Sequence, residues 1–256
     1  MTRFAFGKNW SSFSRTALDS TKIDRARKDF RRLLGDLELA GRSFLDIGFG
    51  QGLSLFLASE AGAKARGVDI DSDNLTAFEE TSRYFPGIAR PATEVHSILD
   101  DDWVSRAEPY DIVHSWGVLH HTGAMHHAIG NAARLVRPRG YFIMAIYNTH
   151  WSSGPWWLIK WFYNRVPAIV QRLLIAVLYP VIYVAKWLVT RKSPTDKERG
   201  MDFLHDVVDW VGGYPYEHAN IEAIKKVLAE KGFDCLKAVP AGVPTGCNEF
   251  VFRRRD

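Results

Sequence analysis

An α/β fold built on a doubly wound, mostly parallel sheet is predicted for this chain of 256 residues by three features. Short apolar runs alternate with helically periodic segments from residue 44 to residue 147. A glycine-rich turn, Asp46-Ile47-Gly48-Phe49-Gly50-Gln51-Gly52, follows the first of those runs. Two further strand-like runs near the C-terminus are joined by a Pro/Gly-rich turn. Alternation of this kind gives parallel strands with helices on both faces. The last two runs complete a seven-stranded sheet as an antiparallel edge hairpin.

The elements follow in order as parts of one domain, 1–256. Residues 1–43 read as an aromatic-rich leader and a helix in which Ile23, Ala26, Phe30, Leu33, Leu34 and Leu37 recur at helical spacing. The cofactor-binding half, 44–147, holds strands at 44–47, 65–69, 93–96, 110–114 and 141–147, with helices at 53–61, 72–84 and 124–136 between them. Pro138-Arg139-Gly140 is a turn signal before the fifth strand. Residues 219–256 contribute a helix at 221–231 and strands at 233–239 and 248–253.

Residues 148–218 break the alternation. Trp151, Trp156, Trp157, Trp161, Trp187 and Trp210 make this helical insert strongly aromatic, and Pro180 interrupts the helical character of an apolar run at 173–185. A bilayer span needs about 20 apolar residues, and shorter runs are more often buried or interfacial. Arg165, Arg172, Lys186, Arg191 and Lys192 flank or punctuate the run. Segment 166–190 is therefore expected to be a lid, a homodimer contact or a membrane-surface helix, with a span the least favoured.

Composition is globular, with 46% hydrophobic and 24% charged residues. The net charge of +4 is mild, and Arg253-Arg254-Arg255 reads as a solvated tail, so nucleic acid is not an expected partner. Cys235 and Cys247 make neither a disulfide framework nor a zinc spacing. Without a secretory signal at the N-terminus, the expectation is a cytoplasmic protein, peripheral at the inner membrane face if segment 166–190 touches lipid.

Glycines at 48, 50 and 52 allow positive φ and close approach of a ligand to the backbone, and the helix that follows starts with unpaired N–H groups. Asp69 ends the second strand, where a carboxylate can accept both hydroxyls of a ribose. Asp71 suits a helix cap better. These residues mark a nucleoside site but fit hydride and methyl transfer equally.

The resemblance that separates the two lies in motifs. Residues 44–52 resemble motif I of class I S-adenosylmethionine-dependent methyltransferases, D-x-G-x-G-x-G, and Leu53 stands where a dehydrogenase has glycine or alanine. Residues 111–121, with Leu119-His120-His121, resemble motif IV of the small-molecule branch. Residues 135–140 resemble its L-x-P-G-G turn, with Arg139 in place of one glycine. Segments 4–10, 116–125, 212–217 and 246–250 are similar to a bacterial group labelled quinol-methylase-like (methyltransferase type 11/12). The resemblance implies a Rossmann-like fold that binds S-adenosylmethionine and releases S-adenosylhomocysteine. It implies that Asp46 and the turn of Gly48, Phe49, Gly50 and Gly52 hold the methionine part, Asp69 the ribose and Ile70 the adenine face. Ser97, Ile98 and Leu99 would line the adenine edge, with Asp100 a weaker candidate, and Ser115 and Trp116 would lie beneath the sulfonium, where a π face attracts a cation.

Methyl transfer needs an in-line nucleophile and often a base. His120 and His121 are the candidate bases for a hydroxyl acceptor, the alternative being that they only pack. His126 and His127 read as surface residues, and no metal is expected, because no Cys or carboxylate completes a familiar set. Asp202, His205, Asp206 and Asp209 recur at helical spacing, either as a solvated face or as a substrate pocket. Trp10, Tyr147, Tyr214, Glu217 and Asn248 are candidate substrate contacts, Asn248 and Glu249 otherwise facing water from an edge strand. The expected acceptor is a small molecule, a quinol, sugar or lipid-like compound. The competing readings are a non-catalytic cofactor- or partner-binding protein and, less favoured, an NAD-dependent dehydrogenase.

Overall fold

A computed structural model describes residues 4–195 and 202–256. Among these, seven strands form one sheet: β1 (Ser43–Ile47), β2 (Lys64–Asp69), β3 (Ala92–Val95), β4 (Tyr110–Trp116), β5 (Val136–Tyr147), β6 (Phe233–Val239) and β7 (Cys247–Arg254), in the order β3-β2-β1-β4-β5-β7-β6. β7 runs antiparallel to both neighbours, from Tyr141↔Arg253 to Tyr147↔Cys247 on β5. The hairpin is thus present, but its second strand is inserted between β5 and β6 and is not an edge. That buries Asn248 and Glu249, which the sequence reading offered to water.

Helices cover both faces. α2 (Ser20–Leu34), α3 (Leu53–Glu60) and α4 (Asn74–Ser82) pack Phe30, Phe56 and Phe78 against Phe44, Ile112 and Ile143. α5 (Asp101–Arg106), α6 (Met125–Arg134) and α10 (Ile221–Glu230) cover Leu45, Ile47, Val113 and Met144. Alternate strand residues thus serve opposite cores. The leader is itself a helix, α1 (Phe6–Thr16), with Phe13 fully buried. α5 was not expected; it forms because the Asp100 carboxylate accepts from the N–H groups of Asp102 and Trp103. At residues 138–140 the expected turn is a kink within β5, with Arg139 at φ 61°.

The insert contains α7 (Ser153–Tyr163), α8 (Ala168–Thr190) and α9 (Phe203–Gly212), gathered around Tyr163, Ile182, Phe203, Val207 and Val211. α8 continues through Pro180. It is long and apolar enough to cross a membrane by length and composition, yet its most apolar 18-residue window is only 6% buried.

Candidate active site

One cavity of about 1050 Å³ runs along the C-terminal ends of β1, β2 and β4 and into the insert. Its floor is the turn from β1 to α3. Gly48 has φ 71°, and a Cβ there would lie 2.4 Å from Val118. Above the turn stands Trp10 of α1, whose indole nitrogen would lie 3.3 Å from a Cβ at Gly50. A side chain at either position would fill the cradle.

Asp69 closes one side. Its Oδ2 accepts from the Gly50 N–H at 3.0 Å and its Oδ1 from the Asp71 N–H at 2.9 Å. Burial raises its pKa, and those two N–H groups oppose the rise. Asp71 does not cap α4, whose N-cap residue is Asp73; it anchors the leader, its carboxylate accepting from the N–H groups of Gly7 and Asp73. Ile70, 48% exposed, lies in the cavity wall with Ser97, Ile98 and Leu99. Asp100 is absent from the wall, being engaged at the start of α5.

Asp46 and Phe49 are also in the wall. The Asp46 carboxylate meets His114 Nδ1 at 2.7 Å, because β1 and β4 place those residues side by side. His114 Nε2 is buried without a hydrogen-bond partner. The sequence reading quoted His114 within the motif but gave it no role. Strand alternation then sends residues 114 and 116 to one face and 115 to the other. Trp116 lines the cavity, whereas Ser115 is fully buried and donates to the Ile47 carbonyl, away from it. Gly52 shapes the turn at φ 76° without facing the cavity.

Leu119–His121 form a single 3₁₀ turn. His121 lies in the wall; its Nδ1 is 2.6 Å from the Pro215 carbonyl. A carbonyl only accepts, so Nδ1 carries the proton and Nε2 is the free acceptor. Burial, aided by the charge of Lys160, brings the His121 pKa down to about 3. His120 is outside the wall, with no exposed surface, and its Nδ1 accepts from the Tyr147 N–H at 3.3 Å. Burial lowers its pKa as well.

The far end of the cavity is aromatic: Phe6, Tyr147, Trp156 and Trp210, with Asp206 and Asp209 between them. Asp206 pairs with Lys186 of α8 at 2.8 Å. Asp209 Oδ1 accepts from Asn9 at 2.6 Å, and burial pushes its pKa up to about 7 against that bond. The polar series 202–209 therefore includes cavity residues. Behind the wall, Lys160 is buried against the rings of Trp210, Tyr216 and Tyr147 at 4.1, 4.8 and 5.7 Å, and donates to the Trp210 carbonyl. Burial brings its pKa down to about 7.

Of the five candidate substrate contacts, Trp10 and Tyr147 line the cavity and three do not. Tyr214 packs its ring on Trp157. The Glu217 carboxylate accepts from the Met125 N–H at the start of α6. Asn248 joins the Ala241 N–H to Asn148. Each is taken up by a tertiary contact that sequence spacing does not reveal. Among the described residues, no group of three or more His, Cys, Asp or Glu side chains is arranged to hold a metal ion.

Residues 20–237 match the family described as methyltransferase domain. A ubiquinone biosynthesis O-methyltransferase of Rhodopseudomonas palustris is 28% identical over 146 residues, covering 54% of this chain and 55% of that protein. Its namesake in Bradyrhizobium diazoefficiens is 27% identical over 146 residues with the same coverage. The chain spans about half the length of the curated relatives it matches. Among solved structures, magnesium protoporphyrin IX methyltransferase of Synechocystis, with bound S-adenosylhomocysteine, superposes with TM-score 0.56 at 16% identity, over 91% of this chain and 83% of that one. An O-methyltransferase family protein of Burkholderia thailandensis gives TM-score 0.56 at 13% identity, over 91% of this chain and 57% of its own. At these identities the likeness is one of fold. The glycine cradle, the buried Asp69 and the unpartnered His114 nitrogen fit S-adenosylmethionine. With the family match over residues 20–237, they place this chain in the methyltransferase domain family, as a class I S-adenosylmethionine-dependent methyltransferase.

Proposed function

We propose that the chain methylates a hydroxyl oxygen of a flat, largely apolar small molecule of the quinol kind. What carries the reading is the continuity of the cavity, from Asp69 and the glycine turn to an aromatic end walled by Tyr147, Trp156, Trp210, His121 and Asp209. The relatives named as ubiquinone biosynthesis O-methyltransferases support both the oxygen and the quinol-like acceptor.

When bound, S-adenosylmethionine supplies the methyl group on a sulfonium. The residues of the chain do the rest. Asp69 and the turn fix the donor's position, and the aromatic walls exclude water and hold the acceptor in line. Methylation of the acceptor oxygen would require its hydroxyl proton to leave. His121, neutral with Nε2 an acceptor, can hold the hydroxyl only through the proton that leaves, and a pKa of about 3 makes it a poor final store for that proton. Asp209, at about 7, takes the proton near neutral pH. His120 is reassigned from candidate base to support, because it holds the Tyr147 backbone and does not reach the cavity.

The test is incubation of the purified chain with S-adenosylmethionine and a catechol or quinol bearing a short apolar tail, read by mass spectrometry. A gain of one methyl on oxygen is expected. Failure to methylate any such hydroxyl while still binding the donor would overturn the acceptor class.

A further inference from the structure

We propose that α8 docks on an anionic lipid bilayer, lying in its surface. Ile169, Leu173, Val177, Val181, Val184 and Leu188 recur in steps of three and four, so they form one stripe along the helix. Each is more than half exposed, and Ile182 is the buried residue of the helix. The stripe is about 30 Å long at 1.5 Å per residue. An apolar face of that length marks an interaction surface.

Charge selects the occupant. Between residues 148 and 195 the sequence has six Lys or Arg and no Asp or Glu. Exposed Arg165, Arg172, Arg191 and Lys192 flank the stripe toward its two ends. The guanidinium groups of Arg165 and Arg191 lie over Trp161 and Trp187 at 4.3 and 5.9 Å. Apolar stripe, interleaved tryptophans and a basic rim are the requirements of a helix seated at the headgroups of an anionic membrane. A second copy of this chain would set the same basic rim against itself, which electrostatics disfavours.

The opposite face of α8 is already committed. Lys186 pairs with Asp206 of α9, and Ile182, Ala185 and Val189 line the cavity. A helix anchored in this way lies along the surface instead of crossing the bilayer, with the cavity on its committed side. Docking is independent of which acceptor is methylated.

Co-sedimentation of the full chain with phosphatidylcholine vesicles, with and without phosphatidylglycerol, tests this. Binding is expected to the anionic vesicles, to weaken with salt, and to fall about tenfold or more in a Val177→Asp/Val181→Asp double variant. Circular dichroism and S-adenosylhomocysteine binding of that variant should match the parent. Three results would overturn the proposal: a parent chain that stays in the supernatant with anionic vesicles; a folded double variant that binds as well as the parent; or light scattering that shows a dimer converted to monomer by the same substitutions, which assigns the stripe to a second copy. If the double variant fails to fold, a Leu173→Gln/Val177→Gln pair gives the same reading.

Discussion

Asp69 acts through a small number of directed bonds, so its removal has a calculable consequence. A charge-assisted hydrogen bond contributes about 1.5–3 kcal/mol, and on the ribose assignment this carboxylate would accept two of them from the donor's hydroxyls. Asp69→Ala should therefore weaken S-adenosylmethionine binding by about 100-fold or more in calorimetry, while Asp69→Asn retains part of the affinity. A donor affinity unchanged in both variants would remove the ribose assignment. Asp209 makes a different prediction. As the proposed base it takes the proton in its ionised form, so turnover should rise with pH through about 7 and level off above it. Asp209→Asn should lower kcat by about 100-fold or more, abolish that limb and leave donor affinity intact. An unchanged kcat returns the proton to His121 or to water. These two residues also show what the chain reveals by itself. The glycine turn and Asp69 were legible because spacing within one strand–turn–helix unit fixes their geometry. Asp46–His114, Asn9–Asp209 and the Lys160 cage were not, since each depends on residues brought together by strand pairing, by α1 crossing to α9 or by α7 packing on α9.

At the scale of elements, α1 joins the two ends of the site. Its Gly7 N–H meets Asp71 and its Ser14 meets Gln51 on the donor side, while its Asn9 reaches Asp209 on the acceptor side. Trp10 lies between, over Gly50. Trp10→Ala should open the cradle to water and lower donor affinity about tenfold, one buried aromatic contact among several, whereas Trp10→Phe keeps most of it. Equal affinity in all three proteins would show that α1 is only a cover. Alternation of apolar runs predicted the strands well, because a sheet buried on both faces writes itself into sequence. It could not place β7 between β5 and β6, since edge and interior strands here share the same apolar texture. Nor could it keep α8 whole at Pro180, where a proline signals a break in isolation but the observed helix continues.

For the whole molecule, the acceptor end buries ionisable groups that titrate far from their ordinary values, and stability must follow pH accordingly. Asp209, raised from 3.8 to about 7, binds a proton in the folded chain that the unfolded chain has lost, so its contribution falls as pH rises between those values. His121, lowered from 6.5 to about 3, does the reverse over nearly the same range, and the two largely offset each other. The groups that oppose Lys160 in the alkaline range act mainly above pH 9: Cys235 is raised from 9.0, and Tyr147, Tyr163 and Tyr216 from 10.0. The Lys160 amine is lowered from 10.5 to about 7, so between those values the unfolded chain binds more protons than the folded one. Stability should accordingly rise as pH goes from 7 toward 9, where the thermal midpoint of the parent is expected to climb. In Lys160→Met that climb should vanish. The rings of Trp210, Tyr216 and Tyr147 favour the charged amine, and burial favours the neutral one. A midpoint that stays flat from pH 7 to 9 in both proteins would show that the rings win, leaving a permanent buried cation behind the acceptor end.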